Sequence, residues 1–111
     1  MTTVDDVRSI ALSLPETTEK LAWGLPTFRV RNKIFASIGD DDEAIGIAIP
    51  RPERTHLLAA EPTKFYIRQG HDDNYNWMRV RLGAVDQAEL RELLTDAWRL
   101  KAPKRLIALL D

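Results

Sequence analysis

Apolar residues at Val7, Ile10, Ala11 and Leu14 recur at the three- and four-residue spacing of one helical face. Thr3 stands before them as a capping hydroxyl, Asp6 follows three residues on, and Pro15 stops the run. The spacing predicts a first helix. Residues 16–26 show no sustained period and read as a connection, with Gly24 and Pro26 at its tight end. Alternation then takes over at 27–30, and 33–38 is a β-branched and aromatic run. Arg31 and Asn32 between them make a hairpin turn, a weaker signal than Asn-Gly.

Gly39 and the acidic stretch Asp40–Glu43 supply the next turn. The strand at 44–49 sets Ile45, Ile47 and Ile49 against Ala44, Gly46 and Ala48. Pro50 and Pro52 end that strand and open a short helix from about 52 to 60, closed by Glu61 and Pro62. Two more alternating strands follow, at 64–68 and 77–82, separated by the polar loop QGHDDNYN at 69–76. Asp86 and Glu89 cap the last long helix, in which Leu90, Leu93, Leu94, Ala97 and Trp98 share one face. Ala102 and Pro103 break it, and residues 104–110 make a final amphipathic turn or two. The expected element order is α-β-β-β-α-β-β-α: an α+β, two-layer α/β domain with a five-stranded antiparallel sheet covered by helices on one side.

Composition narrows this picture. At 111 residues the chain makes one domain, residues 1–111, with enough core to fold without staples. With no cysteine, disulfides and thiolate chemistry are excluded. The apolar runs are too short to span a bilayer, and the acidic start lacks the pattern of a signal peptide, so cytoplasmic residence is expected. Net charge is −1, so an anionic partner would need a local basic patch.

Such a patch emerges from the alternation. The strand positions opposite the apolar set are Arg29 and Arg31, then Lys64, Tyr66 and Arg68, then Trp77, Arg79 and Arg81. The middle strand offers a trough of small residues there, and no carboxylate is predicted among the strand residues. Arginines for phosphates and rings for bases fit a nucleic acid. The other reading is the solvated polar face of an ordinary antiparallel sheet. Lys33 at the hairpin, and Lys104 and Arg105 beyond the last long helix, complete the candidate set, although cations near a helix C-terminus are also favoured by its dipole.

The segment LPETTEKLAWGLPTFRVRNKIFA at 14–36 resembles the MmcQ/YjbR family of small bacterial proteins. The features that carry the resemblance are Trp23-Gly24, Pro26, Phe28-Arg29-Val30 and Phe35-Ala36. The proline-led second helix, Trp77 before Val80 and Leu82, and Ala102-Pro103-Lys104-Arg105-Leu106 match downstream. The resemblance implies a two-layer α/β domain with a double-wing, DNA-binding role. In one departure, the family's lysine before the proline-led helix is Ala48 here.

Catalytic chemistry finds no foothold. There is no nucleophile elbow, phosphate-cradling glycine loop or paired histidine, and Ser9, Ser13 and Ser37 sit within ordinary elements. No enzyme activity and no cofactor is expected. His71, Asp72 and Asp73 have metal-ligand chemistry but no second cluster to complete a site, so no metal is expected and the loop reads as a flexible wing with Tyr75 its single apolar anchor. The resulting expectation is a DNA-binding domain. Its rivals are a protein-interaction or chaperone-like adaptor, working with a protein partner or as a homodimer, and a small-ligand binder using the Gly46 trough and Trp77.

Overall fold

The computed structural model describes residues 2–110. Helix α1 (Val4–Ser13) leads into four consecutive strands, β1 (Thr17–Ala22), β2 (Leu25–Val30), β3 (Lys33–Ile38) and β4 (Ala44–Ala48). Helix α2 (Arg51–Ala60), strand β5 (Phe65–Tyr66), strand β6 (Trp77–Arg81), helix α3 (Gln87–Lys101) and helix α4 (Lys104–Ile107) complete the chain. Short 3₁₀ turns lie at Asp72–Asn74 and Leu82–Ala84. The sheet is antiparallel throughout, in the order β1-β2-β3-β4-β6-β5.

The sheet thus has six strands, not the expected five. The added one is β1, in the stretch read as a connection. Its sequence TTEKLA lacks an apolar alternation because β1 is an edge strand whose middle four residues are exposed. Backbone pairing holds it, from Thr17 with Val30 to Ala22 with Leu25. At the other edge, β5 is shorter than the expected 64–68. The Lys64 ammonium turns away to Glu61 and Glu89, and the Arg68 N–H donates to the Asp72 carboxylate at 2.8 Å. The next strand stops at Arg81 because Leu82 enters a 3₁₀ turn.

Helices α1 and α3 lie on one face of the sheet, and Phe28, Ile45, Ile47, Phe65, Met78, Val80, Leu90, Leu94 and Trp98 make the core between the layers. The Thr3–Asp6 capping box closes the start of α1, and Asp86 caps α3 through the Glu89 N–H at 2.8 Å. Trp98 is fully buried and donates its indole N–H to the Pro15 carbonyl at 3.1 Å, tying α3 to the end of α1. A β-bulge between β2 and β3 brings Phe35 and Ala36 both into the core cluster.

A candidate nucleic-acid interface

Directly opposed residues of antiparallel strands share a face. The register therefore builds one transverse row across the side of the sheet that the helices leave open: Lys20, Thr27, Ser37, Gly46, Arg79 and Tyr66. Trp77 beside Ala48 and Arg81 beside Ala44 lie on the same side, as do Arg29 and its partner Thr18. The alternation expected for Arg29, Tyr66, Trp77, Arg79 and Arg81 is correct.

The other candidates lie elsewhere. Arg31 occupies the β2–β3 turn with Asn32, both at positive φ, and its guanidinium bonds Glu16 at 2.8 Å. Lys33 pairs with Val30, a core residue, so it belongs to the helix side of the sheet. Lys64 forms ion pairs with Glu61 at 2.9 Å and Glu89 at 3.0 Å, and the hydrogen bonds it donates to these carboxylates raise its pKa. Lys104 and Arg105 are exposed on α4, whose Leu106 faces the interlayer core. Arg68 follows β5 and is exposed, with its backbone turned to Asp72.

On the open face, three of the expected contact residues already have work within the fold. The Arg79 guanidinium, its side chain 14% exposed, meets Asp72 at two points, and Asp72 is wholly buried. Burial alone would push the Asp72 carboxyl up. Hydrogen bonds from Arg79, the Arg68 N–H and His71 outweigh it and hold the pKa at about 2. The same bond raises the pKa of Arg79. Arg81 stacks over the Tyr66 ring at 4.3 Å and donates to the Pro62 carbonyl at 3.1 Å, although it stays exposed. Trp77 closes the expected trough: a methyl added at Gly46 would meet its Cε2 and Cζ2 at 2.6 Å and its Nε1 nearer still. The small-ligand reading that relied on that space is therefore corrected.

The 69–76 loop is anchored by buried polar groups and not by Tyr75, which is 60% exposed. Asp72 is its buried hub, with the His71 ring nitrogen Nδ1 at 2.7 Å. Arg54 of α2, also buried, donates through one nitrogen to the carbonyls of Asp72, Tyr75 and Trp77 at 2.8–3.0 Å. Sequence pattern gave little warning of either. An aspartate in a polar loop and an arginine in a short helix both look solvated until the chain folds them together.

A profile of the YjbR family matches residues 12–100. The chain belongs to the YjbR family. Two uncharacterized proteins, one from Mycobacterium tuberculosis and one from Mycobacterium bovis, are each 29% identical over 121 residues, covering 96% of this chain and 94% of the relative. A crystal structure of a Deinococcus radiodurans protein with a DUF419 domain superposes with a TM-score of 0.76 at 26% identity, over 90% of this chain and 78% of that one. In this YjbR chain, no helix among the described residues is long and apolar enough to cross a membrane.

Proposed function

We propose that this YjbR domain binds nucleic acid, gripping the phosphate backbone through the open face of its sheet. The observation that carries the reading is a division of charge. Lys20, Arg29 and Arg81 come from three strands of that face, and none forms an ion pair among the described residues. Three carboxylates close to the face are occupied, Glu19 by Arg8, Glu16 by Arg31 and Asp72 by Arg79, whereas Asp40, near enough to help raise the Arg79 pKa, forms no ion pair among the described residues. The cations left over from these pairs are those a phosphate chain can reach, so a chain of net charge −1 can still present a basic surface locally. Arg79 enters this reading as a support that fixes the 69–76 loop against β6, not as a phosphate contact. A salt titration of oligonucleotide binding tests it, with affinity falling linearly in log–log form as counterions are released.

A further inference from the structure

The tip of the β1–β2 hairpin carries a residue that its turn disfavours. Trp23 and Gly24 are the two central residues between Ala22 and Leu25, at φ 52° and 78°. Positive φ at both positions is the type I′ pattern, for which Asn-Gly is the preferred pair. Gly24 meets that demand freely, whereas a bulky L-residue at Trp23 meets it against steric resistance. Packing gives nothing back, because Trp23 is 93% exposed. Two separate costs thus fall on one side chain with no structural return. Backbone strain of this kind collects at functional positions.

The surroundings select the partner. Cross-strand pairing puts Lys20 opposite Thr27 and Arg29 opposite Thr18, on the open side of this same hairpin. Glu19 lies on the other side, bonded to Arg8 at 2.7 Å. Lys20 is three extended residues from Trp23, roughly 10 Å along the strand. A flat ring open to solvent, standing ahead of two cations with no ion-pair partner, matches an unstacked base and the phosphates that flank it. We infer that Trp23 is the base-stacking residue of the open face, and that the ligand class is nucleic acid with unpaired bases. The inference rests on the nucleic-acid reading above. It reassigns the stacking role from Trp77, whose ring lies against Gly46.

Two readouts on the same samples separate the inference from that reading. Anisotropy of a labelled oligothymidine reports binding. Tryptophan emission reports stacking, because Trp98 is buried, Trp77 is half-buried and Trp23 dominates the solvent-exposed emission. The oligonucleotide is expected to quench that emission in the wild type and to bind more tightly than a duplex of equal length. Trp23→Asn, which creates the preferred Asn-Gly turn, is expected to lose the quenching, to bind at least about fivefold more weakly, and to melt no lower than the wild type. Equal affinity of Trp23→Asn and wild type overturns the inference while leaving the nucleic-acid reading in place. A melting temperature lowered by several degrees makes Trp23 a structural residue and overturns it as well. A duplex bound as tightly as the single strand removes the unpaired-base assignment. No binding by the wild type defeats both readings.

Discussion

Asp72 and Arg79 meet at two points, Nε to Oδ2 at 2.9 Å and Nη2 to Oδ1 at 3.1 Å, and the carboxylate in that pair has no exposure to solvent. A fork of this kind desolvates two charges, so it stabilises only while both are present and every remaining lone pair is matched. The Arg68 N–H and the His71 ring supply the rest.

Removing one partner should therefore be costly. Asp72→Asn strands a largely buried guanidinium, and a loss of roughly 3–5 kcal/mol in denaturant melts at neutral pH is expected. The acid limb gives an independent check. The Asp72 pKa falls from 3.8 to about 2 on folding. A depressed carboxylate contributes stability above its unfolded pKa and loses that contribution as pH falls through the folded value. A shift of this size corresponds to about 2 kcal/mol, lost between about pH 4 and pH 2. Asp72→Asn should lack that part of the acid dependence. A variant with the acid limb of the wild type would show that Asp72 titrates normally.

The tryptophan of α3 tests the core. Trp98 is fully buried and its indole bonds the Pro15 carbonyl at 3.1 Å. Trp98→Ala should cost about 3–5 kcal/mol. A change under about 1 kcal/mol would be incompatible with the cavity that such a truncation leaves.

These two sites mark what sequence reading reaches. Trp98 was legible because helical period and strand alternation both demand a core face there, and they agree. Strand β1 was not legible: an edge strand exposed on both sides carries no apolar rhythm, and its signal lies in the pairing with β2. The open face was legible as a face but not as a set of free charges. Alternation states on which side of the sheet Arg79 lies; it is silent about Asp72, seven residues earlier in a loop, reaching it. Trp23 escaped as a candidate for the opposite reason, since a residue inside an apparent connection gives no hint that a turn exposes it.

Gly46 and Trp77 make a steric prediction. The indole covers the position a side chain at 46 would need, so Gly46→Ala must displace the ring or the strand. A destabilisation of roughly 1–3 kcal/mol is expected, with Trp77 emission shifted to the red as the ring lifts into water. Unchanged emission and stability would mean that the ring already leaves that space free.

The charges of the open face test the proposed function, and the structure changes which of them should be altered. Arg79→Ala would confound binding with loss of the Asp72 pair, so Lys20, Arg29 and Arg81 are the informative set. Arg29 makes a single hydrogen bond to the Thr27 hydroxyl at 3.2 Å, and Arg81 rests on Tyr66 while remaining exposed. Changing all three to Ala should cost little stability, because isolated surface interactions of this kind contribute about 1 kcal/mol or less each. Each phosphate contact adds about −0.7 to the slope of log affinity against log salt for a single strand and about −0.9 for a duplex. The triple variant should bind more weakly and lose roughly two units of slope, whereas Arg31→Ala, already paired with Glu16, should leave the slope unchanged. A triple variant with the slope of the wild type would place the phosphate contacts off the open face. A wild type that shows no salt-dependent binding at micromolar concentration would make this face a docking surface for an acidic protein or a solvated one.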